Sequence, residues 1–77
     1  MDMEVWIKLN SMEDAAKLVN RLEKYDCHAD AYLGSLVINA KSIMGLLGYG
    51  IGRVIRLWID TEPEEELWAV LDEFMVA

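Results

Sequence analysis

The sequence predicts a small α+β domain in which one antiparallel sheet carries three helices on a single face. Four segments alternate apolar and polar residues with a period of two, which is typical of half-buried strands. Three other segments place apolar residues at helical spacing. The order is β-α-β-β-α-β-α, and each strand has only one apolar face. The helices should therefore share one side of the sheet and leave the other side open to water.

The element boundaries follow from this alternation and from residues that begin helices. The predicted strands are residues 3–9, 27–33, 36–39 and 54–60. Ser11, with Asp14 three residues later, resembles a capping box and should begin the first helix. Thr61 and Glu64 give the same signal for the last helix, in which Pro63 is tolerated within the first turn.

A short helix is predicted between the hairpin and the last strand, at residues 42–47. It begins at a serine and continues with apolar residues. Gly48, Gly50 and Gly52 follow closely and should prevent the helix from continuing far. The segment 48–52 superficially resembles a phosphate-binding loop. It follows a helix and not a strand, so we interpret it as an ordinary loop.

Length, charge and cysteine content exclude several classes of function. The 77 residues are enough for one domain, residues 1–77. Seven basic and fourteen acidic residues give a net charge of −7, which argues against binding to nucleic acid or to an anionic membrane surface. One cysteine permits no disulfide within the chain, and the acidic N-terminus does not resemble a signal peptide. We therefore expect a cytoplasmic location.

A run in the middle of the chain suggests a family. The residues Asn39-Ala40-Lys41-Ser42-Ile43-Met44-Gly45, a serine that opens a short apolar helix after a hairpin, resemble the HPr family. These proteins are the histidine-containing phosphocarriers of the bacterial sugar phosphotransferase system. The likeness extends through Gly50-Ile51 to the strand that ends at Ile59, and Ala15-Ala16-Lys17-Leu18-Val19 resembles the family's first helix. The resemblance implies an HPr-like open-faced β-sandwich over nearly the whole chain.

The family's phosphorylation site differs in this chain. The resemblance places the family's phosphorylated histidine at Ser11, its arginine at Glu13 and its proline at Asp14. Phosphoryl transfer needs a nucleophile that also leaves readily, as imidazole does, together with free N–H groups and a cation. A serine ester is more inert, and each like-charge contact with phosphate costs about 1–4 kcal/mol, depending on exposure. We therefore predict that Ser11 is only a helix cap, that the chain is not an enzyme, and that a residual phosphocarrier role is the least favoured function.

The sole histidine does not replace the missing one. His28 lies in a predicted strand and is interpreted as an exposed strand residue. Cys27, His28 and Asp30 could be considered as metal ligands, but alternation turns Cys27 to the opposite face. We expect no metal and no cofactor.

Ser42 is the one candidate for modification. In gram-positive members of the family the matching serine is phosphorylated by a dedicated kinase, and the modified protein is a corepressor for a catabolite-control transcription factor. The resemblance therefore implies regulation at Ser42, with an HPr kinase and a transcriptional regulator as partners and an adjacent apolar binding patch at Ile43, Met44 and Leu47. The alternative is that Ser42 merely caps its helix and that the patch belongs partly to the core. Glu13 favours a changed or lost partner, since family members also dock through the cation at that position.

The open face of the sheet offers a second functional hypothesis. Trp6, Trp58, Tyr32 and Val37 should point outward from it. If the first and last strands are neighbours, as the resemblance implies, Trp6 and Trp58 would lie side by side. Such a pair either stabilises the sheet as a cross-strand contact or forms an interface for a homodimer or a partner protein.

Overall fold

The structure is a computed structural model that describes residues 2–76. It consists of four strands and three helices in the predicted order. Its elements are β1 (Met3–Lys8), α1 (Met12–Leu22), β2 (Ala29–Leu33), β3 (Leu36–Asn39), α2 (Ile43–Tyr49), β4 (Val54–Ile59) and α3 (Glu65–Phe74). The strands form one antiparallel sheet in the order β1-β4-β2-β3. The predicted fold class is therefore confirmed.

The two faces of the sheet differ, as the alternation predicts. Inward residues such as Ile7, Ile55 and Leu57 are completely buried, and outward residues are exposed or half-buried. The predicted apolar stripes of α1 and α3 complete the core: Ala15, Leu18, Val19, Leu22, Leu67, Val70, Leu71 and Phe74. All three helices thus cover one face, and burial of this apolar surface is the main force that holds the layers together.

The two edges of the sheet differ in whether their backbone groups are covered by another segment. The chain that follows α3 returns along the outer edge of β1, where Met75 bridges Ile7 and the Val76 N–H donates to the Trp6 carbonyl at 2.9 Å. This segment occupies backbone groups that an edge strand would otherwise present to another chain. β3 forms the opposite edge, and no strand among residues 2–76 pairs with its outer side.

Two helix boundaries differ from prediction. α3 begins at Glu65, and its capping residue Glu64 makes no side-chain cap hydrogen bond, so the capping box predicted at Thr61 and Glu64 is wrong. The reason is Pro63, which disfavours helical backbone at the preceding residue and thereby delays the start of the helix. α2 continues to Tyr49 and ends against Gly50, so it includes part of the segment predicted as a loop. No helix within residues 2–76 has both the length and the apolar character needed to cross a membrane.

Candidate functional site

The N-terminus of α1 is closed by its own side chains. Ser11 has extended backbone, and its Oγ accepts a hydrogen bond from the Asp14 N–H at 3.1 Å. The Asp14 carboxylate turns back and accepts from the Asn10 N–H at 3.0 Å. Ser11 therefore caps the helix as predicted, although the reciprocal bond reaches Asn10 and not the backbone of Ser11 itself. Two of the N–H groups that could hold an anion here are already satisfied.

The charge around this helix start is negative. Glu13 and Asp14 both lie in the first turn, where they interact favourably with the helix dipole. The salt bridges found within residues 2–76 are Lys17–Glu73, Arg21–Glu66 and Arg56–Glu4, so no cation among the described residues forms an ion pair with either of these two carboxylates. A phosphate dianion at Ser11 would meet like charge without compensation.

His28 lies at the other end of the sheet. β1 leads into Ser11 from Lys8, which pairs with Val54, whereas His28 directly precedes Ala29, which pairs with Ile59. Val54 and Ile59 are the two ends of β4, about 16 Å apart at the rise of an extended strand. His28 is exposed, as predicted, but it lies before β2 and not in a strand, and the sheet separates it from the N-terminus of α1.

Ser42 caps α2 with the same geometry that Ser11 uses on α1. Its Oγ accepts from the Gly45 N–H at 3.2 Å, and its carbonyl accepts from the Leu46 N–H at 3.1 Å. The first turn of α2 contains no acidic residue, in contrast to the first turn of α1. The preceding residue is Lys41, whose Nζ donates to the Tyr25 carbonyl at 2.8 Å.

The apolar patch predicted beside Ser42 is only partly available. Met44 is 78% exposed, whereas Ile43 and Leu47 are half-buried and pack against the core. Met12 and Tyr49 are among the other exposed apolar residues, and sequence reasoning missed both. Met12 fits the spacing of the buried stripe of α1, but its place at the first helical position leaves it outside the core. No periodic signal in the sequence marks Tyr49 as exposed.

The ends of α1 and α2 are brought together by the backbone. The Gly52 N–H donates to the Leu9 carbonyl at 2.7 Å, which ties the loop after α2 to the end of β1. Tyr49 and Met12 each lie three residues from this contact. The C-terminal end of α2 therefore lies at the same end of the molecule as the N-terminal end of α1.

The tryptophans of the open face are not direct partners. β1 and β4 are neighbours, but Trp6 lies opposite Arg56 and Trp58 lies opposite Glu4, so the predicted side-by-side pair is wrong. The register pairs Val5 with Leu57 on the buried face and thereby offsets the two indoles by two residues. The Trp58 indole is half-buried and donates through Nε1 to Asp2 Oδ2 at 3.1 Å.

Arg56 lies at the centre of the open face. Its Nη1 donates to Glu4 Oε2 at 2.6 Å, and its guanidinium carbon lies 4.5 Å from the centre of the Tyr32 ring. Trp6, its direct neighbour on β1, is 53% exposed. Arg56 thus joins three strands through an ion pair and a cation–π contact.

The cysteine is buried and points away from the histidine. Cys27 lies on the core side, whereas His28 is exposed. Burial raises the pKa of the Cys27 thiol; Lys41 opposes this rise, while Asp60 and Asp26 add to it. The thiol is therefore harder to deprotonate than an exposed cysteine, and it lies on the opposite side of the sheet from His28. Residues 2–76 contain no group of three side chains arranged to hold a metal ion.

A comparison with protein families decides which family the chain represents. Residues 12–76 match the model of the PTS HPr component phosphorylation site family. The chain belongs to the HPr family. The matched region begins one residue after Ser11. It therefore does not include the position that the resemblance assigns to the family's histidine. No curated protein matches the chain significantly.

Solved HPr structures share the fold. HPr-C-His from Thermoanaerobacter tengcongensis is 27% identical and superposes with a TM-score of 0.69, covering 95% of this chain and 88% of its own. The phosphocarrier protein HPr from Bacillus anthracis str. Ames is 20% identical with a TM-score of 0.70, covering 95% of this chain and 96% of its own. The second likeness concerns the fold alone. Together with the family match, they show that this chain has the fold of HPr phosphocarriers.

Proposed function

We propose that this chain is a regulatory, protein-binding member of the HPr family that carries no phosphoryl group at Ser11 and is regulated by phosphorylation of Ser42. It catalyses no reaction of its own and uses no metal or cofactor. It acts in the bacterial cytoplasm by binding other proteins, with an HPr kinase and a transcriptional regulator as the partners that the family suggests.

The observation that carries this proposal is the contrast between two serine-capped helices. Ser11 and Ser42 cap α1 and α2 with nearly the same hydrogen bond, but only α1 has carboxylates in its first turn, at Glu13 and Asp14. Added phosphate at Ser11 would be repelled, whereas at Ser42 it would meet no acidic residue in the first turn and would have Lys41 next to it in the chain.

The surface near Ser42 suits recognition by another protein. Met44 projects from α2 two residues after the serine and is the most exposed of the large apolar residues described. Methionine adapts its shape to different partners and is common at binding surfaces. A partner that contacts Met44 would therefore sense the charge at Ser42.

The test is incubation with a purified HPr kinase and ATP, followed by intact-mass and peptide mass spectrometry. We expect one added phosphate that is lost in Ser42→Ala and retained in Ser11→Ala, which is the matched control because both serines are helix caps. No phosphate on Ser42, or phosphate on Ser11, would remove the proposal.

The residual phosphocarrier role has its own test. Incubation with the upstream phosphotransferase enzyme and its phosphoryl donor should leave the chain unlabelled, because imidazole is lacking at Ser11 and the helix start is negative. Transfer of phosphate from that enzyme onto the chain would revive the phosphocarrier function.

A second candidate function is that of an interaction or dimerisation module that uses the open face. It is favoured by the exposure of Trp6 and Val37, which flank Arg56 and Tyr32 in one row across the sheet. Backbone amide chemical shifts measured over a range of protein concentrations test it. Concentration-dependent changes concentrated in β1, β4 and β2 support this function. Changes confined to α2, or no changes, count against it.

A further inference from the structure

The exposed side of α3 carries a shallow hollow beside a tryptophan. Four residues line it, Glu65, Trp68, Ala69 and Asp72, and their spacing of three, four and seven places them on one face of the helix. Trp68 is half-buried and packs against the core, whereas the other three are exposed. The hollow therefore combines an apolar wall with one carboxylate a turn before the tryptophan and another a turn after it.

The size of the hollow limits what it can hold. Its volume is about 290 Å³, and it is open to solvent. Sites for whole small molecules are clefts of roughly 300–1,000 Å³ that bury most of the ligand. A hollow at the lower limit of that range, open on one side, suits one protruding side chain better than a complete small molecule.

The carboxylates of the hollow differ from their neighbours on α3 in their ion pairs. Glu66 and Glu73 bind basic residues of α1, at 3.1 Å and 2.8 Å. Glu65 and Asp72 each precede one of these residues in the chain, but neither forms a salt bridge within residues 2–76. The negative charge of α3 is thus compensated on the side of α1 and uncompensated at the hollow.

The segment around the hollow favours the same sign of partner. Residues 60–73 contain half of the fourteen acidic residues of the chain and no basic residue. Such a concentration of charge repels anionic partners and attracts cationic ones. The occupant that matches both the charge and the tryptophan is a cation with a planar body.

We infer that this hollow binds an arginine side chain in a basic segment of a partner protein. The guanidinium is planar, so it stacks on the Trp68 indole while its edge donates to Glu65 or Asp72. A lysine ammonium is a compact, strongly hydrated charge and cannot make both contacts in this way. The inference goes beyond the proposed function, because α3 contains neither Ser42 nor any residue of the open face.

The first arm of the experiment titrates the folded chain with a short blocked peptide of alternating arginine and glycine. It is followed by NMR at about 0.15 M salt, where charges more than about 8 Å apart are largely screened. Among the signals of the three indole N–H groups, that of Trp68 should shift most. A peptide with citrulline, the uncharged isostere of arginine, should leave it in place. A lysine peptide of the same length should bind roughly threefold or more weakly.

The second arm compares four substitutions that change the net charge equally. Glu65→Gln and Asp72→Asn should each raise the dissociation constant of the arginine peptide by roughly threefold or more, because each removes a carboxylate of the hollow. Glu66→Gln and Glu73→Gln are the matched controls on the same helix, and each should raise it by less than about twofold. All four side chains are exposed, so the variants should stay folded.

Three results would each overturn the inference: an equal effect of the four substitutions, an unmoved Trp68 signal, and equal binding of the arginine and citrulline peptides. Equal binding of the arginine and lysine peptides would overturn the assignment to arginine. Ser42→Ala should bind the peptide as wild type does, so failure of this inference and failure of the proposed function are separate outcomes.

Discussion

Ser11 caps the start of α1 by accepting a hydrogen bond from the backbone of Asp14. The Ser11 hydroxyl accepts the Asp14 N–H at 3.1 Å, and the Asp14 carboxylate accepts the Asn10 N–H at 3.0 Å. The resemblance to the HPr family places the phosphorylated histidine of its phosphocarriers at Ser11, where a phosphoryl dianion would be received and released. Here the Asp14 N–H and the Asn10 N–H both have partners within the chain, and the Asp14 carboxylate lies at the positive end of the helix dipole.

Restoring the family's residues at this position should therefore require more than the histidine. Ser11→His alone should accept little phosphate from the upstream phosphotransferase enzyme. The triple variant Ser11→His, Glu13→Arg, Asp14→Pro removes both carboxylates and adds a cation. We expect it to be labelled roughly thirtyfold faster or more, which corresponds to the removal of two like-charge contacts that cost about 1–4 kcal/mol each.

The measurement is the rate of acid-labile labelling, and Ser42→Ala in the same background controls for serine phosphorylation. Equal labelling of the single and triple variants would contradict the idea that the two carboxylates block the site.

Gly45 should be needed for the close packing of α2 on β3. A Cβ at this position would lie 2.5 Å from Cγ2 of Ile38, a nearly buried and stiff β-branched residue. Gly45→Ala should therefore lower the free energy of unfolding by about 1–2 kcal/mol, although alanine is the better helix former. Urea denaturation monitored by circular dichroism measures this change.

Gly48→Ala in the same helix is the matched control for Gly45→Ala. No described atom beyond its chain neighbours and the backbone of α2 lies within 4 Å of a Cβ built at Gly48, so the substitution should gain up to about 1 kcal/mol from helix propensity alone. A gain in stability in both variants would mean that Ile38 adjusts freely.

What the sequence predicts well is local. The alternation that contains Val5 and Ile7, and the cap at Ser11, depend on residues within a few positions of one another, and both have the expected structure. The order of elements and the buried face of each strand follow from the same short-range patterns. The resemblance to the HPr family then supplied the pairing of β1 with β4, which no local pattern contains.

What the sequence does not predict is non-local or depends on competing local signals. A period of two permits strand registers that differ by two residues, so the faces of β1 and β4 could be assigned while the offset of Trp6 from Trp58 could not. At the start of α3 the cap signal of Thr61 competes with the backbone restriction before Pro63, and the proline prevails. The bridge between Met75 and Ile7 of β1 is not predicted by any pattern in the residues around Met75.

The open face should owe part of its stability to the guanidinium of Arg56. Arg56 pairs with Glu4 and stacks on Tyr32 at once, because its planar group offers both edge donors and a face. Arg56→Lys retains the charge but not both contacts, so we expect a loss of about 1 kcal/mol in the free energy of unfolding. Protein concentrations low enough to keep the chain monomeric are needed for this comparison.

Arg53→Lys is the control for Arg56→Lys. Arg53 is exposed and makes one long bond, 3.5 Å, to the Tyr49 carbonyl, so its replacement should have almost no effect on stability. Equal losses in the two variants would show that arginine composition, and not the position of Arg56 between Glu4 and Tyr32, determines the effect.

Alkaline pH should weaken the fold through Cys27. Burial raises the pKa of its thiol in the folded state, whereas the unfolded thiol ionises near pH ~8.5. Between these two pKa values the unfolded chain binds fewer protons than the folded chain, so stability falls as pH rises above about 8.5. Cys27→Ala lacks this thiol and should lack this part of the loss. The measurement is the difference in unfolding free energy between wild type and Cys27→Ala from about pH 7 to about pH 10. Because the other titrating groups are common to both chains, a difference that stays constant over this range would show that burial of Cys27 does not control its ionisation.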